Sequence, residues 1–223
     1  MNNLTLVIPA KNEKESLPRV LGELKSYKLK ILIVLEKEDK ETINSIKNYD
    51  CNIIFQNGKG YGDALITGIN SVNTELFCIF NADGSFNPSE LNKMYKNINE
   101  NSVDLVFGTR YEKNCGSDDD TLITFIGNFI FTTIGKLFFR LNITDILYTF
   151  VLGKTSKAKD LNLKSKDFKF CVELPIKAKR NGYKLSNSRS HERSRIGGKK
   201  KVNVFKDGFI ILTYMIKLFF VRS

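Results

Sequence analysis

Short apolar runs alternate with longer mixed ones through the first half of the chain. Leu4–Pro9, Lys30–Leu35, Asn52–Phe55 and residues 76–80 and 104–108 are runs of four to six mostly apolar residues. That length and continuity predict strands of a parallel sheet, with those at 4–9, 30–35 and 76–80 buried. Between them, residues 15–27, 38–48, 63–72 and 88–99 have helical character. In the first, Leu17, Val20, Leu21 and Leu24 fall on one helical face. Strands alternating with helices over the first 110 residues predict an α/β fold, a mostly parallel sheet with crossover helices.

The pattern then changes. Residues 121–141 are apolar, but Thr124, Asn128, Thr132, Lys136 and Arg140 recur every fourth position. The polar stripe predicts a helix in a membrane interface with the stripe toward the headgroups; a helix packed on a soluble core has the same spacing. Residues 166–181 read as an amphipathic helix interrupted by Pro175 and stopped at Gly182, and residues 184–187 as a short strand. Residues 191–201, His-Glu-Arg-Ser-Arg-Ile-Gly-Gly-Lys-Lys-Lys, form a basic loop. A second apolar helix over 202–220 follows, with Phe205, Phe209, Leu212, Ile216 and Phe219 at helical spacing. A basic loop beside an apolar helix is a two-signal arrangement for surface anchoring.

Composition narrows the partners. The net charge of +11 over 223 residues favours nucleic acid, acidic membrane or phosphorylated substrate. Nucleic acid is disfavoured because the aromatic residues lie on apolar helical faces and are not interleaved with the basic run. The four cysteines form no CxxC pair and read as free thiols in a reducing compartment; the single His191 excludes a multi-histidine metal site. No signal peptide and no run of about 20 uninterrupted apolar residues is expected. The acidic run Asp118-Asp119-Asp120 reads as a solvated turn.

Two stretches carry chemistry. Asn81-Ala82-Asp83-Gly84-Ser85 follows the apolar strand at 76–80 and precedes a helix opened by Pro88. A carboxylate at the carboxyl end of a buried strand sits where open α/β sheets bind ligands, and suits Mg²⁺ or Mn²⁺ shared with substrate phosphates. A turn-stabilising or helix-capping role for Asp83 is the competing reading. Gly58-Lys59-Gly60-Tyr61-Gly62 precedes another helix and lacks the spacing of a Walker loop or a dinucleotide fingerprint.

Taken together, these motifs resemble a family 2 glycosyltransferase of the GT-A fold, of the dolichol-phosphate mannose synthase or polyprenyl-phosphate glycosyltransferase type. The resemblance rests on Val7-Ile8-Pro9-Ala10-Lys11-Asn12-Glu13, on Gly58-Lys59-Gly60 with Ala64 and Gly68, and on Asn81-Ala82-Asp83 at a DxD metal motif. It extends through Phe107-Gly108-Thr109-Arg110-Tyr111, Thr144-Asp145 with Phe150, Phe170 and Glu173, and Arg195, Gly198 and Lys201. It implies transfer of a hexose from a GDP- or UDP-sugar to a polyprenyl or dolichyl phosphate, metal-dependent and inverting. Residues 1–112 would be the nucleotide-sugar half, and 113–223 the acceptor half with interface helices at 121–141 and 203–220. Pro9, Ala10, Asn12, Glu13, Glu36, Gly58, Lys59, Gly60, Asn81, Ala82 and Asp83 would hold the donor. Asp83, Asn81 and Ser85 would bind Mg²⁺ or Mn²⁺, and Arg110, Arg195, Lys200 and Lys201 the acceptor phosphate. Asp145 would be a base or an orienting acid, and Asp83 and Arg110 would act in catalysis. The protein would sit peripherally on the cytoplasmic side of a membrane, with room for a small membrane partner subunit. The chain departs from the pattern in three places: Leu35-Glu36 replaces a pair of aspartates, Asn81 the first aspartate of DxD, and Lys200 a serine. A transferase with a soluble saccharide acceptor, or a non-catalytic relative that binds nucleotide sugar, fits the same motifs.

Overall fold

The computed structural model describes residues 1–197 and 203–221. Its strands are β1 (Leu4–Pro9), β2 (Lys30–Leu35), β3 (Asn52–Phe55), β4 (Leu76–Ile79), β5 (Leu105–Thr109), β6 (Gly116–Ser117), β7 (Val151–Lys154), β8 (Leu185–Arg189) and β9 (His191–Glu192). Its helices are α1 (Leu17–Leu24), α2 (Lys40–Ser45), α3 (Tyr61–Ser71), α4 (Leu91–Glu100), α5 (Leu122–Phe139), α6 (Thr155–Asp160), α7 (Phe170–Arg180) and α8 (Val204–Phe220).

Seven strands form one sheet in the order β3-β2-β1-β4-β7-β5-β8, and β6 pairs with β9 in a separate parallel ribbon. β1 to β4 are mutually parallel, β8 is parallel to β5, and β7 runs antiparallel between β4 and β5. β1 and β4 are buried along their whole length, as their uninterrupted apolar sequences require. One face of the sheet packs α1 and α4, through Leu17, Val20, Leu91 and Met94. The other packs α3, α5, α7 and α8, through Leu65, Phe131, Phe170 and Met215. Because β7 and β8 enter the same sheet as β1, the two halves of the chain share one core.

β7 was not legible from sequence. It has four residues and contains Gly153, where a side chain would meet Leu105 at 2.2 Å and Phe77 at 2.9 Å. Position 153 is glycine because it lies between Phe77 and Leu105 of the two flanking strands, both in register with it. α7 begins at Phe170, later than predicted. Residues before it are held open by Glu173, whose buried carboxylate accepts the backbone N–H of Lys164 and Ser165.

The middle of the α5 stripe, Asn128 and Thr132, faces the opposite way from expectation, while Lys136 and Arg140 at its end are exposed. Asn128 is 1 % exposed and Thr132 is buried, whereas Phe129 and Leu137 are 64 % and 71 % exposed. Buried backbone explains the inversion. The Leu147 N–H donates to Asn128 Oδ1 at 3.1 Å, and the Ile146 N–H to the Thr132 hydroxyl at 3.2 Å. Asn128 and Thr132 satisfy a segment of irregular chain beneath the helix, and most of the large apolar side chains of α5 point outward. On α8, Ile211, Met215 and Leu218 are buried while Phe205, Phe209, Ile216, Phe219 and Phe220 are exposed. α5 and α8 touch through Phe138 and Phe219, ring centroids 5.6 Å apart. Apart from Tyr49 and Phe55, every exposed large apolar side chain among the described residues lies on these two helices or at Val221. Among the described residues α5 alone is long and apolar enough to cross a membrane.

Candidate active site

The carboxyl ends of β1, β2, β4, β5 and β8 open on one edge of the sheet, and antiparallel β7 starts there. The loops at that edge enclose a cavity of about 540 Å³. Pro9, Ala10, Asn12, Glu13 and Glu36 line one end, and Arg110, Asp119, Asp120, Tyr148 and Glu192 the other; Asn81, Ala82 and Asp83 lie between, after the central strand. This is the crevice that the sheet topology reserves for ligands.

At the first end the backbone bends sharply. Asn12 has φ +53, and its N–H donates to Asp39 at 2.7 Å; the Glu13 N–H donates to the Thr42 hydroxyl at 2.9 Å. Glu36 pairs with Lys11 at 2.8 Å. The glycine loop contributes less to the cavity than its sequence suggests: Gly60 lines it, and Gly58 and Lys59 do not. Gly58 donates to the Asp63 carboxylate at 2.9 Å. A side chain at Gly60 would meet the Lys166 carbonyl at 2.3 Å, and one at Gly62 the Ser165 carbonyl at 2.1 Å. These two glycines therefore let α3 pack against the irregular segment before α7.

In the middle, Asp83 Oδ1 accepts the Ser85 N–H at 3.0 Å, and Arg195 Nη1 lies 3.8 Å from Asp83 Oδ2. Asn81 Oδ1 accepts from Tyr61 at 3.4 Å, and Asn81 Nδ2 donates to the Ser85 hydroxyl at 3.3 Å. Ser85 is buried and does not line the cavity, so it braces Asn81 and Asp83 from below. Tyr61 stacks on Phe168 with centroids 5.4 Å apart and bonds the Thr149 hydroxyl at 2.6 Å. Burial pushes its phenol well above the ordinary range. No group of three or more Asp, Glu, His or Cys side chains converges among the described residues. Asp83 and Asn81 fit a hard cation that takes one carboxylate and completes its shell with phosphate and water.

At the far end the two arginines are committed to carboxylates. Arg110 donates to Asp145 through Nε at 2.7 Å, Nη2 at 3.0 Å and its backbone N–H at 3.1 Å, and to Glu192 through Nη1 at 2.8 Å. Its guanidinium also lies over Tyr148, 4.6 Å from the ring centroid. Burial opposes the Arg110 charge, and the opposing charges and hydrogen bonds of Asp145 and Glu192 outweigh it. Asp145 is fully buried and also accepts from Asn128 at 2.7 Å, so both its oxygens are taken. That fits an orienting acid better than a base. Arg195 donates to Asp119 at 2.9 Å. Asp119 and Asp120 are thus wall residues of the cavity, contrary to the solvated-turn reading: Asp120 accepts from Tyr111 at 2.5 Å and from Thr124. The charges of two arginines folded against this loop draw the aspartates inward. Lys200 and Lys201 lie outside the described residues. Tyr61, Tyr148 and Glu192 were missed because no local spacing marks them, and Asn128 was marked only as part of the α5 stripe; each reaches the site through the fold.

Parallel strands with one antiparallel insertion, and a carboxylate after the central strand, are the architecture of the GT-A fold. Residues 5–161 match the model of glycosyl transferase family 2, and the chain belongs to that family. It is similar to an uncharacterized glycosyltransferase of Mycobacterium tuberculosis, 25 % identical over 208 residues, covering 93 % of both chains. It is also similar to a UDP-N-acetylglucosamine–dolichyl-phosphate N-acetylglucosaminyltransferase of Methanococcus voltae, 26 % identical over 200 residues, covering 79 % of this chain and 80 % of that one. Among solved structures, glucosyl-3-phosphoglycerate synthase of M. tuberculosis in complex with Mn²⁺, UDP and phosphoglyceric acid has a TM-score of 0.76 at 10 % identity. The match covers 99 % of this chain and 79 % of that one, and shows the fold.

Proposed function

We propose that the protein transfers a hexosyl group from a nucleoside diphosphate sugar, UDP-linked, to a lipid-borne acceptor at a membrane surface. The UDP named for the M. voltae relative and for the solved structure supports the donor class. The outward apolar faces of α5 and α8 carry the membrane part, because Thr124 and Asn128 of α5 and Val204 of α8 also line the cavity. A lipid resting against those faces has its head at the cavity wall. Exposed apolar surface of this extent marks an interaction site, and basic residues near it suit anionic headgroups. The chain would act as a peripheral protein of the cytoplasmic leaflet.

The residues divide the work along the cavity. Pro9 to Glu13 and Glu36 take the nucleoside, with the Glu36–Lys11 pair at its edge. Asp83 and Asn81 would hold Mg²⁺ or Mn²⁺ against the diphosphate, and such an ion supplies Lewis-acid stabilisation of the leaving group. Arg195, beside Asp83, adds a cation where negative charge collects as the glycosidic bond breaks. Arg110, fixed by Asp145, shapes the acceptor end. Two acceptor heads remain. A polyprenyl phosphate is supported by the dolichyl-phosphate relative and by the basic loop. A hydroxyl is favoured by the commitment of Arg110 and Arg195 to carboxylates.

The test is transfer into lipid. Purified protein, Mn²⁺ or Mg²⁺ and radiolabelled UDP- and GDP-hexoses are incubated with anionic vesicles carrying either short-chain polyprenyl phosphate or diacylglycerol. Metal-dependent label in the organic phase is the expected result. Label confined to water-soluble glycosides when soluble acceptors are added would overturn the membrane part.

A further inference from the structure

The acceptor end holds one carboxylate whose chemistry is unspent. Asp145 has both oxygens bonded and no exposure. Asp120 is bonded at both oxygens, by Thr124 and Tyr111. Asp119 Oδ1 and Oδ2 both face Arg195 donors, at 3.4 and 2.9 Å. Glu192 differs. Its Oε2 accepts from Arg110 Nη1 and from the Ser117 hydroxyl, while its Oε1 accepts no hydrogen bond among the described residues. The side chain lines the cavity and is 13 % exposed. β9 pairs with β6 at Glu192↔Ser117, and the Asp118 N–H donates to the Glu192 carbonyl at 2.8 Å, so backbone and side chain are both fixed.

We propose that Glu192 is the general base of the transfer, and that the acceptor nucleophile is a hydroxyl on a lipid. This rests on the transferase reading above. The two statements are linked by chemistry. A phosphate monoester is largely dianionic near neutral pH, its second pKa being about 6, and attacks without a base. An alcohol holds its proton and needs one. The acceptor O–H gives its proton to Glu192 Oε1 as its oxygen forms the bond to the anomeric carbon. The bond from that carbon to the β-phosphate oxygen breaks, its electron pair leaves with the nucleoside diphosphate, and the carboxyl later loses its proton to water. Arg110 and Ser117 hold the carboxylate by Oε2, which leaves Oε1 without a donor among the described residues and open to the acceptor proton. A dianionic acceptor here would meet Glu192, Asp119 and Asp120 against two arginines already paired with them.

The experiment compares wild type with Glu192→Gln and Glu192→Asp, using a donor hexose nucleotide whose binding is measured by calorimetry. Transfer is measured to diacylglycerol and to short-chain polyprenyl phosphate, and to water as donor hydrolysis. Glu192→Gln is expected to bind donor within about twofold of wild type and to lose at least about 100-fold in kcat toward a hydroxyl. The acidic limb of its pH–kcat profile should flatten. Glu192→Asp should recover part of the loss and, if the glutamine variant does not fold, carries the comparison by its lowered kcat at unchanged KM for donor. A glutamine variant within about threefold of wild type overturns the assignment. So does transfer by wild type to polyprenyl phosphate with no hydroxyl accepted, or bound donor with neither transfer nor hydrolysis. Absence of donor binding in wild type is the distinct outcome in which the transferase reading itself fails.

Discussion

Two aspartates picked out by the same motif reasoning have different surroundings, and the difference decides what each does. Asp83 lines the cavity, and among the described residues its Oδ2 makes no hydrogen bond and faces Arg195 at 3.8 Å. Asp145 sits under Arg110 and Asn128 with four donors on two oxygens. Asp83→Asn keeps the oxygen that accepts Ser85 N–H and removes the charge a cation needs. Its melting temperature should stay within a few degrees while metal-dependent turnover falls by about 100-fold or more. Asp145→Asn puts an amide against donors and leaves a buried guanidinium short of a partner. It should cost about 3–5 kcal/mol in urea unfolding. Equal stability losses in the two variants would contradict this division. Asp83 was legible in the sequence because a lone carboxylate at a strand end is a local signal. The inward turn of Asp119 was not, because its partner Arg195 is distant in the chain; Asp120 follows it through bonds to Tyr111 and Thr124 that depend on how the loop folds.

At the level of elements, periodicity identified which residues share a face but not which face is inside. β1 to β5 read correctly since each is a short apolar run between turns. On α5 the same kind of evidence gave the stripe Thr124, Asn128, Thr132, Lys136 and Arg140; Lys136 and Arg140 are exposed, but Asn128 and Thr132 turn inward, because the backbone N–H groups of Ile146 and Leu147 beneath them are invisible to a local pattern. α7 shows the same dependence. Glu173 is fully buried, ion-paired to Lys177 at 2.8 Å, and accepts the N–H groups of Lys164 and Ser165. Burial raises its pKa, but the hydrogen bonds from Lys177 and Ser165 outweigh burial and hold it below the ordinary 4.5. A carboxylate with a lowered folded pKa stabilises the fold fully above its unfolded value, and the contribution is lost as pH falls through the folded one. Glu173→Gln should therefore cost about 3 kcal/mol near neutral pH. The gap to wild type in urea melts should close below pH 4.5 and not above it. A gap that persists in acid would mean that packing, not charge, is lost.

The whole molecule joins a basic surface to an apolar face, and on the proposed membrane reading the two would contribute differently to attachment. The net charge of +11 attracts anionic lipid at long range, at about 1 kcal/mol for each Lys or Arg near the surface, and this part is screened by salt. The outward side chains of α5 and α8 would contribute by burial, about 1.5–3 kcal/mol for each large apolar group fully withdrawn from water, and this part is not screened. Raising the salt from about 0.1 to 0.5 M should weaken binding to phosphatidylglycerol vesicles without releasing the protein. Phe129 and Phe205 are 64 % and 81 % exposed, so exchanging both for serine should leave the melting temperature nearly unchanged. The same double variant should bind vesicles at least about tenfold more weakly at both salt concentrations. Sedimentation with vesicles reads both effects. If salt alone releases the wild type and the phenylalanines do not matter, the apolar faces are not in the bilayer, and a protein partner becomes the occupant to seek.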